Sequence, residues 1–149
     1  MMDLEALRLA EAFFARKPEA LPSVRAVLLG ALERWPETKI VTQKSQVGLR
    51  DPRPYCALTA PGKHVKGRAT PGALLSLFLP RPLEAECLLL AVEAYPGRFT
   101  NHLILPTNPE DFPEGLWDWI GEARRFRCGS NGSSPPQNPT KRSNLENED

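Results

Sequence analysis

A chain of 149 residues, 41% hydrophobic and 25% charged, suits one domain able to bury roughly two-thirds of the surface its unfolded form exposes. A net charge of +1 excludes the basic balance of a general nucleic-acid binder, and no run nears the ~18 consecutive apolar residues a membrane span needs. The 16 prolines predict short, sharply bounded elements.

Asp3 and Glu5 stand where a secretory leader would carry basic residues, and the three cysteines, Cys56, Cys87 and Cys128, share no CxxC spacing. The expected location is therefore the reducing cytoplasm, where the Asn131-Gly132-Ser133 acceptor pattern has no meaning. Asp3 is a good N-cap for a first helix carrying Leu4, Leu7 and Phe14 and stopped by Pro18 near Arg16 or Lys17. Leu21, Val24, Val27, Leu28, Ala31, Leu32 and Trp35 recur at separations of three and four, predicting a second helix that Pro36 ends.

From Lys39 the period shortens. Ile40-Val41, Val47 to Leu49 and Tyr55 to Thr59, interrupted by Lys44-Ser45-Gln46 and by Asp51-Pro52-Arg53-Pro54, predict a β-meander. Ala60 to Gly72, with its glycines and prolines, reads as a loop of its own, and Gly72 to Leu79 as a central strand apolar on both faces. Leu83 to Ala94 is open between helix and strand, with strand preferred. After Tyr95-Pro96-Gly97, strand alternation sends Phe99, Leu103 and Leu105 to one face and Arg98, Thr100 and His102 to the other, which makes Phe99 and, at the end of the second helix, Trp35 core residues. A last helix is expected from Asn108-Pro109-Glu110-Asp111 onward, burying Leu116, Trp117 or Trp119, Ile120, Ala123 and Phe126. Trp117 and Trp119 stand two apart, so one of them faces a rim or a partner. Beyond Cys128 the composition turns polar and Gly/Ser/Asn/Pro-rich, so the domain is expected over 1–127 and a disordered tail over 128–149.

Residues 39 to 68 carry seven basic side chains against Asp51 alone, a net +6, while residues 84 to 122 carry eight acids against Arg98 alone, a net −7. Gly62-Lys63 fails as a phosphate loop, because Ala57 stands where the first glycine belongs and His64 where Ser or Thr belongs. The two histidines, His64 and His102, lack the company a metal needs, so no metal and no cofactor is expected. His102 as a general base would want a carboxylate or hydroxyl beside it, and Thr100 is a poor orienter.

Lys44-Ser45-Gln46-Val47-Gly48-Leu49, Lys66-Gly67-Arg68, Tyr95-Pro96-Gly97-Arg98-Phe99-Thr100-Asn101-His102 and the closing Trp-bearing helix together resemble the bacterial family called domain of unknown function 5655. The resemblance covers most of residues 10 to 126, extends to the broader YdhG-like domains, and meets the family's two consecutive histidines with Asn101-His102. It implies helices against a small, mostly antiparallel sheet and, the family having no established activity, no chemistry.

The expected fold is α+β: two N-terminal helices and one C-terminal helix on a mostly antiparallel sheet of about five strands. The expected function is a non-enzymatic binding module. Its polar face, bearing Lys44, Ser45, Gln46, Lys66, Arg68, Arg98 and His102, receives an anionic small molecule or an acidic protein surface, with no membrane or nucleic-acid partner. One alternative is an enzyme using His102 as acid or base with Arg98 clamping a substrate anion, and another is an interaction domain presenting Trp117 or Trp119. Whether positions 44 to 46 converge with Arg98 and His102 decides how far the seven act together.

Overall fold

The computed structural model describes residues 4–61, 64–65, 68–69, 72–84 and 89–129, with 64, 65, 68 and 69 described as backbone. Helix α1 (Leu4–Phe13) buries Leu7 and Ala10. It stops short of the predicted Arg16, because the Phe14 and Ala15 N–H groups bond three residues back, to Glu11 and Ala12, and tighten the chain into turns. After a 3-10 turn over Pro18–Ala20, α2 (Leu21–Arg34) sets Pro22 in its first turn, where N–H groups have no helical partner. Val24, Val27, Leu28 and Ala31 form its buried stripe. The Trp35 N–H closes α2 on the Ala31 carbonyl at 2.7 Å, and Pro36 disfavours a further turn.

Strands β1 (Lys39–Thr42), β2 (Val47–Arg50) and β3 (Pro54–Thr59) form the meander. Within the segment expected as a loop, β4 (His64–Val65) and β5 (Arg68–Ala69) pair as a small ladder of their own. The main sheet continues with β6 (Leu74–Leu79), β7 (Leu89–Tyr95) and β8 (Arg98–Ile104), in the spatial order β1-β2-β3-β6-β8-β7, every pair antiparallel. Six strands replace the expected five or so, because the ambiguous run before Tyr95 supplies β7, and its pairing to β8 decides what periodicity alone did not. The β7–β8 turn runs through Pro96 and Gly97, whose φ of 75° is glycine territory.

One face of the sheet holds the core. Val47, Leu58, Leu75 and Leu103 stand directly opposite one another across four strands, followed one row on by Leu49, Cys56, Leu77 and Asn101. Between Leu49 and Arg50 the β2–β3 register shifts and leaves Tyr55 unopposed, so Tyr55 and Cys56 both turn into the core. Tyr55 meets Trp35 edge-on at 6.1 Å, and its hydroxyl lies 2.9 Å from Thr38 Oγ1. Trp35 packs on the core half-buried, whereas Phe99, expected in the core, is half-exposed at the end of the sheet, beside Leu79 and Ala94, and lies outside the core.

The last helix starts later than expected. Asn108 caps a 3-10 turn over Pro109–Asp111, accepting the Glu110 N–H at 3.0 Å, and Phe112 is extended, as a residue before proline prefers. Helix α3 (Leu116–Cys128) then buries Leu116, Ile120 and Ala123. Four residues beyond Ala123, that stripe reaches Arg127, whose Nε donates to the Pro54 carbonyl at 3.2 Å; Phe126 sits 100° to the side and is 38% exposed rather than buried. Arg124 pairs with Asp51 at 2.7 Å, and the Cys128 thiol donates to the Arg53 carbonyl at 3.2 Å. Cys128 therefore belongs to the helix, one residue past the expected domain end, and 130–149 lie outside the described residues. Trp117 lies against Gly30 of α2, where any Cβ would collide with the indole, and under the Arg34 guanidinium at 3.9 Å; both it and Trp119 are half-buried. No helix among the described residues is long and apolar enough to cross a membrane.

Two outcomes follow for stability. Phe14→Ala, at a fully buried ring, should cost about 3 to 5 kcal/mol in urea denaturation, whereas Phe126→Ala should stay within about 0.5 kcal/mol; equal costs would contradict the α3 stripe. Burial pushes the Cys56 thiol, the Tyr55 phenol and the Cys128 thiol up, so the native state holds these protons more tightly than the unfolded chain. Their contribution is complete below the unfolded thiol value of about 8.5 and is lost as pH rises past it, then more steeply above about 10, where the unfolded tyrosine ionises. Urea midpoints should fall over that range, and Cys56→Ala, though less stable throughout, should show a shallower fall.

Candidate functional site

Strand β8 alternates, so Asn101 and Leu103 face the helices while Arg98, Thr100 and His102 emerge on the second face of the sheet. The register brings Ser76 of β6 directly opposite His102, Glu93 of β7 opposite Thr100, and Tyr95 opposite Arg98. One patch of three adjacent strands thus gathers a hydroxyl, an imidazole, a carboxylate and a guanidinium.

Their contacts form two groups. Ser76 Oγ lies 2.7 Å from His102 Nδ1, and His102 Nε2 lies 2.9 Å from Glu93 Oε1. The carboxylate can only accept, so the neutral ring carries its proton on Nε2, and Nδ1 accepts the serine hydroxyl proton. Tyr95 donates its hydroxyl to the same Glu93 oxygen at 3.1 Å, a bond that holds the phenol up from its ordinary pKa. Exposure rises along the chain, from 7% for Ser76 to 23% for the His102 side chain and 55% for that of Glu93, so the group opens to solvent on the β7 side.

In the second group the Arg98 guanidinium lies 5.0 Å from the Phe78 ring centre and 4.7 Å from that of Tyr95. Its Nε is buried with no hydrogen-bond partner among the described residues, and the same holds for Oγ1 of Thr100, two residues along β8. No carboxylate among the described residues pairs with Arg98. Buried polar atoms cost about 1 to 3 kcal/mol each when left unbonded, so two in one place require an explanation.

Of the seven residues expected to form one face, Arg98 and His102 share one face of β8, four residues and roughly 13 Å apart along the strand. Lys44, Ser45 and Gln46 occupy the β1–β2 turn, closed by the Gln43 N–H on the Gln46 carbonyl at 2.7 Å. Strands β3 and β6 stand between β2 and β8, a separation of roughly 14 Å at ordinary strand spacing, so that turn belongs to another part of the surface. The backbone of Arg68 pairs with Val65 in the small ladder, and Lys66 lies outside the described residues. Ser76 and Glu93 are the partners missed from the sequence. Each is the lone polar residue in an apolar strand, Leu74–Leu79 and Leu89–Tyr95 respectively, apart from the Tyr95 hydroxyl, and that isolation was the available signal. Among the described residues no group of three His, Cys, Asp or Glu side chains could hold a metal. No family model, curated protein or solved structure matches the chain.

Asn101, behind His102, anchors the patch to the chain that links β6 to β7. Its Oδ1 accepts the Leu83 N–H at 2.8 Å and its Nδ2 donates to the Arg81 carbonyl at 3.1 Å, all in a fully buried position. Asn101→Ala should therefore cost about 2 to 4 kcal/mol in urea denaturation, and Asn101→Asp, which removes the donor and buries a charge, no less. A change below about 0.5 kcal/mol in either variant would show that this connection is held by something else.

Proposed function

We propose that the protein is a binding module for a small anionic ligand, a carboxylate or phosphate, seated on the sheet face at Arg98. The observation that carries this reading is the Arg98 guanidinium, 5.0 Å from the Phe78 ring centre and 4.7 Å from that of Tyr95, with no ion-pair partner among the described residues, and with Arg98 Nε and Thr100 Oγ1 buried and unbonded beside it. A guanidinium between two rings can donate in pairs to two oxygens, and a neighbouring hydroxyl can donate a third bond. His102 lies two residues beyond Thr100 on the same face and gives the patch a second nitrogen-bearing group. An acidic side chain of a partner protein offers the same chemistry, and free anions failing to compete with such a partner would identify that source.

Titration with phosphate, sulfate and citrate, followed by NMR at the Arg98 Nε–H, should give a saturable shift with at least one of them. Arg98→Ala should raise Kd by about 10-fold or more, and Arg98→Lys by nearly as much, because an ammonium cannot reproduce the fork. Thr100→Val should weaken binding without lowering stability, since it removes an unbonded hydroxyl at nearly constant volume. Lys44→Ala should leave affinity unchanged. Absence of a shift with all three anions would overturn the reading.

A further inference from the structure

The Ser76–His102–Glu93 chain has the form required to activate a nucleophile: a hydroxyl within 2.7 Å of a base, and that base held at 2.9 Å by a carboxylate. We propose that these three residues are a hydrolytic triad, cleaving a carboxylic ester whose acyl part ends in a second carboxylate bound by Arg98, a substrate class that rests on the anion reading above.

The chemistry balances within these groups. Ser76 Oγ attacks the ester carbonyl and forms the new C–O bond while its proton passes to His102 Nδ1. The imidazolium so formed keeps its Nε2–H on Glu93, whose charge stabilises it. The bond to the leaving alkoxide breaks, the alkoxide takes the proton from Nδ1, and an acyl group remains on Ser76. Water, deprotonated by the same nitrogen, repeats the attack and releases the acid.

The placement of the remaining polar groups sets the substrate. Backbone N–H groups within an antiparallel ladder are consumed by strand pairing, so the developing oxyanion must be met by a side chain. Thr100, opposite Phe78 and so diagonal to Ser76 on the same face, carries a buried hydroxyl with no partner among the described residues, roughly 7 Å from Ser76 at ordinary strand spacing. The Arg98 guanidinium lies over Phe78, itself two residues and roughly 7 Å along β6 from Ser76. A carboxylate a few bonds beyond the ester carbonyl spans that gap, as in a short dicarboxylic monoester, whereas an acetyl ester does not.

The test compares p-nitrophenyl acetate with the mono-p-nitrophenyl ester of succinic acid. The succinyl ester should be cleaved with a kcat/KM about 10-fold or more above that of the acetyl ester, and Ser76→Ala and His102→Asn should each lower it by about 100-fold. Because either variant could lose its fold, acid-quenched wild-type protein is also digested and the peptide holding Ser76 weighed, where a succinyl group is expected. No acyl group on that peptide, or turnover no faster than an equal concentration of imidazole, would overturn the triad while leaving the anion titration at Arg98 to stand by itself. Acylated Ser76 with no preference between the two esters, unchanged by Arg98→Ala, would overturn the anion site and the substrate class with it.

Discussion

Strand β8 is bonded to β6 along one edge and to β7 along the other, and nearly everything else in the molecule depends on that double pairing. Its period of two assigns Leu103 and Asn101 to the core and Arg98, Thr100 and His102 to the second face. A slip of one residue would send His102 and Thr100 under the helices and Leu103 into the polar patch, exchanging buried apolar area for unpaired polar groups at once. Asn101 guards against that slip, because its amide bonds Arg81 and Leu83 only when it faces inward at its present position. The bidentate Arg81–Glu122 pair, at 2.8 and 2.9 Å, ties the same connection to α3, so the register of β8 is secured from the core side.

Much of the fold was legible because local rules agreed with tertiary ones. The stripe of α2 and its Pro36 end point the same way in sequence and in space, as does the alternation of β8. Disagreements arose where a distant partner decides. Tyr55 and Cys56 both face inward only because β2 shifts register beside them, and no pattern within Pro54–Thr59 carries that information. Phe126 read as buried from its apolar character, but the stripe through Leu116, Ile120 and Ala123 leads to Arg127, which is held by the Pro54 carbonyl at the start of β3.

The site was half legible for a related reason. The alternation of one strand, which is local, puts Arg98 and His102 on the same face in the sequence and in the sheet. Ser76 and Glu93 join them through pairings that cross 26 and 9 residues of chain, and the charge count along the sequence, which favoured Lys44 and its neighbours, measures adjacency in sequence rather than in the sheet. A chain that orders its strands β1-β2-β3-β6-β8-β7 carries its first turn away from its last hairpin, however basic the segment between.

The second face also explains why so polar a cluster is compatible with a small domain. The apolar side chains of β2, β3, β6 and β8 meet the helices on one face, where Leu49, Leu58, Leu75, Leu77 and Leu103 are fully buried. The hydrogen bonds of the ladder are satisfied irrespective of what the other face carries. Substituting polar for apolar side chains there leaves the helix-covered core intact and costs only what the polar atoms themselves leave unbonded. Most are bonded: Ser76 to His102, and Tyr95 and His102 to Glu93. Among the described residues, the polar atoms of this face that stay buried and unbonded are Arg98 Nε and Thr100 Oγ1, two residues apart on β8, so the cost of the polar cluster falls on one strand; Thr42 Oγ1 on β1 is the same kind of atom elsewhere in the sheet.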